Sequence, residues 1–439
     1  MVATGIAILA IAGAVFQALR LFRGEEREFS DAPPRNPVAD FELDAWASVL
    51  KDAPLAVDGP AAEFQSQMYG IVEPLVGKLP NSTRARCLLA SVHRRFVRNA
   101  EAARELQQCL ALDPACAEAH YLLGLLAMGV SDNPAAEKHL RIAFDIDPRW
   151  ADVPLQLANA QISQDKPRDA VQTLETYLKL DPRDAGAWCE LGQVYQKLDD
   201  CNNAKRCHLT AIDVAPDFFE AYYGAAKALR ELGAAEEAQK YLDRFRQLRT
   251  SETESVRVER AKATDEDYKR KAIVDMATQA GAAYAMHGYY VEAEECWTRA
   301  TTLEPTRIEC QEMLCRLRPG DAERWLSLGH AYIQNGRPME AESPFQQAIE
   351  LAPQDADGYA ALAQVHMLLG KDLGKAAELA RTAVKLEATA PNYFVLAAAC
   401  ERMKDWPGAK SALRHAIELD PDDPVYQEAY DKLQEDQSP

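Results

Sequence analysis

Ten cysteines and eight histidines are the residues of this 439-residue chain best suited to ligate a metal or attack a substrate. Their spacing argues against both. No C-x-x-C pair occurs among Cys87, Cys109, Cys116, Cys189, Cys201, Cys207, Cys296, Cys310, Cys315 and Cys400, which removes the common zinc-ribbon and thioredoxin-like patterns. Scattered thiols of this kind favour a reducing compartment. No HExxH-type spacing links the histidines. Cys207 and His208 adjoin, but helical neighbours point about 100° apart and do not converge. The run Gly370–Lys375 has the look of a phosphate loop, yet no Ser or Thr follows its last lysine and no strand precedes it, so it reads as a turn between helices. No G-x-S-x-G nucleophile elbow is present. The expectation is a non-enzyme, with no catalytic residue, no cofactor and no metal site.

Spacing of another kind dominates. Pro114, Pro148, Pro182 and Pro216 recur every 34 residues, three of them after an aspartate (Asp113, Asp147, Asp181). Counting back from Pro216, Trp188, Leu191, Gly192 and Tyr195 fit W-x2-L-G-x2-Y, and Ala204 and Ala211 follow. Counting back from Pro353 gives Trp325, Leu328, Gly329, Tyr332, Ala341, Phe345 and Ala348. In these residues the chain resembles the tetratricopeptide repeat family, whose unit is a helix-turn-helix. The small residues suit positions where two helices approach closely. Trp188 and Trp325 are expected to fill the space between paired helices. Each proline opens the next unit, having no N–H to continue the helix before it. The offsets give units ending near Pro114, Pro148, Pro182, Pro216, Thr250, Pro305, Pro353, Ala388 and Pro421. The fold class expected is all-α: a right-handed α-solenoid of about nine units, preceded by one transmembrane helix.

The expected boundaries follow. Residues 1–23 form a transmembrane anchor, because Val2–Leu19 is almost wholly apolar and about 27 Å long as a helix. The span extends to Phe22 if Arg20 snorkels. Residues 24–60 form a tether, and 61–80 a capping helix pair kinked near Pro74. Units one to five occupy 81–250. A charged linker or helical extension follows at 251–271. Units six to nine occupy 272–421, with an extra helix at 306–319. A C-terminal capping helix and tail complete the chain at 422–439. Arg20, Arg23 and Arg27 follow the apolar span and mark its cytoplasmic side. The expected location is therefore a bacterial inner (cytoplasmic) membrane, single-pass, with the solenoid cytoplasmic rather than periplasmic. The layout resembles that of bacterial membrane-anchored tetratricopeptide assembly proteins, without their four-cysteine metal domain. A net charge of −19 disfavours nucleic acid as a partner.

The resemblance implies that the first helix of each unit lines a concave groove. Its inward positions give a protein-binding set of Tyr121, Leu125, Leu155, Asn159, Gln193, Tyr223 and Lys227. Cys87 and Cys189 fall in the same register, with Arg84 and Arg94 towards one end. The amides suit a peptide backbone and the apolar groups its side chains. Cys189 stands where chaperone-binding relatives carry a clamp lysine, so chaperone-tail docking is not expected. The function expected is a membrane-anchored scaffold or adaptor that binds a partner protein or peptide and helps assemble a membrane-associated complex. Its partners would be that protein and the membrane, through residues 2–22. Two alternatives stay open: a constitutive periplasmic subunit of a large membrane complex, and a homo-oligomer formed through the solenoid.

Overall fold

The computed structural model describes residues 59–262 and 265–435. These residues form twenty-one helices. A single helix, α1 (Gly59–Lys78), precedes five pairs: α2 (Thr83–Arg95) with α3 (Asn99–Leu112), α4 (Ala117–Gly129) with α5 (Asn133–Ile146), α6 (Asp152–Ser163) with α7 (Pro167–Leu178), α8 (Ala185–Lys197) with α9 (Cys201–Val214), and α10 (Phe219–Glu231) with α11 (Ala235–Lys262). Then come α12 (Asp265–Met286) with α13 (Tyr290–Leu303), the lone α14 (Ile308–Leu317), α15 (Ala322–Gln334) with α16 (Pro338–Leu351), α17 (Ala356–Leu368) with α18 (Leu373–Leu386), and α19 (Ala390–Arg402) with α20 (Trp406–Leu419). α21 (Pro424–Glu435) closes the stack by burying Tyr426 and Leu433.

Two turns repeat along the chain, and each has a local cause. Within a unit, the first helix is closed by a residue with left-handed backbone: Val97, Ser131, Asp165, Asp199 and Gly233 in the first array, Gly288, Gly336, Gly370 and Lys404 in the second. The next N–H then reaches back past the helix end, as from Asp132 to the Ala127 carbonyl (2.9 Å) and from Asp200 to the Tyr195 carbonyl (3.0 Å). This closure satisfies carbonyls the helix would otherwise orphan. Asp132, Asp200 and Asp405 also cap the following helix through their carboxylates. Gly370–Lys375 is the same turn between α17 and α18, its Asp372 accepting from the Lys375 N–H at 3.1 Å.

Between units, a side chain of the incoming helix bonds the carbonyl of the proline that opens it. The Trp188 Nε1–H donates to Pro182 O (3.0 Å), Tyr222 Oη–H to Pro216 O (2.9 Å), Trp325 Nε1–H to Pro319 O (3.0 Å) and Tyr359 Oη–H to Pro353 O (3.2 Å). Trp188 and Trp325 are thus half-buried latches over the unit's opening turn, and they also pack against the apolar clusters that fill the space between paired helices. That space belongs to the residue sixteen positions after the motif glycine. A Cβ on Gly124, Gly192, Gly281 or Gly329 would come within 2.4 to 2.7 Å of Leu140, His208, Trp297 or Phe345, respectively. Glycine is required because the partner side chain already occupies that volume.

The main departure from a single linear array lies after α11. The helix α12 does not extend the stack beyond the fifth unit. It packs against α1 and α2, at the opposite end of the first array. One continuous core joins Met68, Val72 and Leu75 of α1 and Leu88 and Val92 of α2 to Val274, Ala277 and Tyr284 of α12. Polar contacts reinforce it: Arg84 Nη2 to Gln279 Oε1 at 2.9 Å, Arg95 Nη1 to Tyr268 Oη at 2.6 Å, and an ion pair between Lys78 and Glu292. Where a kinked capping pair was expected over 61–80, one helix runs through Pro74 and serves as the joint from which both arrays grow.

The expected anchor over residues 2–22 and the tether after it lie outside the described residues. No helix of the described residues is long and apolar enough to cross a membrane. The expectation of a solenoid preceded by a transmembrane helix is corrected to an all-α solenoid over the described residues, and the single-pass inner-membrane location is withdrawn with it.

Candidate protein-binding groove

The first helices of successive units pack on one another: α2 on α4, α4 on α6, α6 on α8 and α8 on α10. They therefore form the inner track of the first array. Because the units keep strict register, the expected residues fall into two rows across that track. One row runs Tyr121, Leu155, Cys189, Tyr223 and the other Leu125, Asn159, Gln193, Lys227, each step being one unit. Tyr121, Leu125, Leu155 and Asn159 are half-buried, whereas Gln193, Tyr223 and Lys227 are exposed.

Each end of the first row is held by an aromatic contact. The Tyr121 ring lies 4.6 Å from Trp150, in the turn before α6, and Tyr223 lies 5.4 Å from Phe245 of α11. Burial pushes the Tyr121 phenol above its ordinary range; Asp152 adds to the shift and Arg94 opposes it. Tyr121 is therefore a neutral hydrogen-bonding group at ordinary pH. Behind the rows, buried amides stiffen the track. Thr173 Oγ1 donates to Gln161 Oε1 at 3.1 Å, and Gln196 Nε2 donates to the Gly224 carbonyl at 3.0 Å.

Three expected features sit elsewhere. Cys189 is buried, so the first row is interrupted at α8, where Gln193 Nε2 lies 3.8 Å from the Cys189 sulfur. Cys87 is wholly buried, not a groove residue. Arg84 turns to the joint, paired with Glu118 at 2.6 Å and bonded to Gln279.

Two groupings escaped sequence reasoning. A polar cleft of about 610 Å³ opens between α1, α2 and α3, lined by Tyr69, His93, Arg98, Glu101 and Arg104 among others. Tyr69 Oη lies 2.9 Å from His93 Nδ1, which is 3.2 Å from a Glu101 carboxylate oxygen. The second grouping is sulfur. Cys87, Cys109 and Cys116 come from α2, α3 and the turn into α4, and their sulfurs lie within 4.8 Å of one another. The nearby Cys109 thiol and then that of Cys87 hold the Cys116 thiol far below its ordinary range, aided by the N–H groups that open α4. The neighbouring sulfurs and burial push the other two thiols up, Cys87 chiefly through Cys109 and Cys109 chiefly through Cys116. The only sequence signal was three thiols at adjoining positions of one repeat boundary, at spacings no familiar motif uses.

A family model for the tetratricopeptide repeat matches residues 87–149, 155–200, 189–252 and 326–393, more than half of the chain. The chain belongs to the tetratricopeptide repeat family. Its repeats make it a scaffold for protein–protein interaction, a coarser statement than the membrane-anchored assembly role expected above. Among curated proteins it is 25% identical over 277 residues to human superkiller complex protein 3. That stretch is 62% of this chain but only 16% of that protein, so the chain spans a small part of the curated relative it matches. Solved tetratricopeptide structures overlap it in part. MamA from Desulfovibrio magneticus RS-1 is 17% identical, covering 38% of this chain and 96% of that one at a TM-score of 0.34. YrrB, described as having an unusual peptide-binding site, is 15% identical, covering 43% and 97% at 0.36. Naa15/Naa10 bound to HypK is 17% identical, covering 85% and 64% at 0.31. The family match decides the assignment, not these overlaps.

Proposed function

We propose that this scaffold binds an extended segment of a partner protein along the inner track of its first array. The observation that carries the reading is the pair of rows running at one-unit steps over α4, α6, α8 and α10. Packed helices lie about 8–10 Å apart. In the extended polyproline II conformation three residues span about 9 Å and bring every third side chain back to one face. The two periods match, so every third peptide residue would meet a new helix. Asn159 and Gln193 supply amides for the peptide backbone, while Tyr121, Leu125, Leu155 and Tyr223 take its side chains. Lys227 at the far end suits an acidic residue or a carboxylate. Half-burial of Tyr121, Leu155 and Asn159 means that little side-chain freedom is left to lose on binding.

The test is selection of peptides from a random display library on the full chain, followed by affinity measurement on the Asn159→Ala/Tyr223→Ala variant. The expected result is recovery of peptides with apolar residues three apart and a loss of roughly 10-fold or more in the variant, at unchanged helical circular dichroism. Equal affinity for the variant would place the binding surface elsewhere, and a lost helical signal would mark the two residues as structural.

A further inference from the structure

The three clustered thiols have an arrangement that packing alone does not ask for. Cys87 and Cys109 are wholly buried and Cys116 is half-buried. The Cys87 sulfur lies 3.6 Å from that of Cys109 and 3.9 Å from that of Cys116. A covalent disulfide needs about 2.05 Å. Metal–sulfur bonds of about 2.3 Å, by contrast, set sulfur–sulfur spacings of roughly 3.8 to 4.0 Å in trigonal or tetrahedral sites. The two edges that meet at Cys87 are therefore already close to the size a metal ion would impose, and the third lies within 4.8 Å.

The ligand set also selects the ion. Among the described residues no histidine, carboxylate or fourth cysteine joins the three sulfurs. Structural zinc almost always takes four ligands. Soft thiolates with low coordination suit monovalent copper. Charge supports the same choice. Cys116 sits at the N-terminus of the thirteen-residue α4, where backbone N–H groups favour a thiolate. Arg84 on α2 and Glu118 on α4 form an ion pair beside the site, so the carboxylate next to the sulfurs is already compensated.

We propose that Cys87, Cys109 and Cys116 form a three-coordinate site for a cuprous ion. Binding displaces the remaining thiol protons to solvent and changes no oxidation state. It would staple α2, α3 and α4 together beside the joint between the two arrays.

The test uses the full chain, fully reduced and kept anaerobic, titrated with Cu(I) against bathocuproine disulfonate. One ion per chain should be withheld from the chelator, and zinc should not displace it. Cys116→Ser should weaken binding by about 100-fold or more, since losing a ligand exceeds the ~10–100-fold loss seen for outer partners. The Cys87→Ser/Cys109→Ser/Cys116→Ser variant should withhold none, whereas Cys189→Ser and Cys400→Ser should behave as wild type. X-ray absorption on the loaded wild type, which needs no variant to fold, should show three sulfurs around copper. No copper withheld, two-coordinate copper, preferential zinc binding, undiminished uptake by the triple variant, or a Cys87–Cys109 disulfide in freshly reduced protein would each overturn the proposal.

Discussion

His208 shows how one residue carries the logic of the repeat. It is wholly buried and lies between two glycines, Gly192 and Gly224, each of which would clash with it if given a Cβ. Its role as a packed core residue was legible, because the family places a large side chain at that offset from the glycine. Its chemistry was not. The Gln196 amide nitrogen donates to the Gly224 carbonyl and also faces His208 Nε2 at 3.4 Å, so that ring nitrogen accepts. Nδ1 is buried with no hydrogen-bond partner among the described residues. Burial, with Lys227 adding, therefore holds the imidazole down to about 4. The unfolded value is about 6.5, so the unfolded chain binds the proton first and stability is lost as pH falls from about 6.5 through the folded value. Between pH 7 and pH 4.5 this one residue should remove on the order of 2 kcal/mol. His208→Phe keeps a ring in the slot and should abolish that part, giving a smaller fall in urea midpoint between the two pH values than wild type. An equal fall in both proteins would mean His208 is not buried neutral. The tryptophans are similar. Their large volume suggested filling, and they do pack against the clusters between paired helices; less legible was that the indole N–H needs an acceptor, which the proline carbonyl at the unit's start supplies.

At the scale of elements, helix pairs could be read from the 34-residue period because everything that makes a pair is local: a glycine, its facing side chain, a capping aspartate and a proline. The placement of the second array could not. Its contact with α1 joins residues some two hundred positions apart, and the apolar face of α12 has no feature naming α1 as its partner rather than α11. The thiol cluster was hidden for the same reason, since three helices must assemble before its sulfurs meet. The joint makes a concrete prediction. Lys78 and Glu292 are partly exposed and paired, so a zero-length carbodiimide should link them within one chain. The Lys166–Glu137 pair, at 2.7 Å inside the first array, is the internal control. Mass spectrometry of the monomer should find both links, and only the control link in Lys78→Ala. A control link without the 78–292 link in the wild-type monomer would show that the second array does not return to α1.

For the whole molecule, the joint ties the second array to the first array's opening helices, and on the proposed reading the first array presents an inner track whose residues recur at one-unit steps. The two rows follow from register alone, so their members could be named from the sequence; that Cys87 and Cys189 drop out of them could not, because small thiols fit a core as readily as a groove. A chain with net charge −19 and an inner track of amides, aromatics and a lysine suits a polypeptide partner more than a polyanion. Hydrogen exchange of the full chain with and without a saturating selected peptide tests this most directly. The account predicts slowed exchange in α4, α6, α8 and α10 together, with the outer helices α5, α7 and α9 changing little. Protection confined to residues 265–435, or to the outer helices, would contradict it.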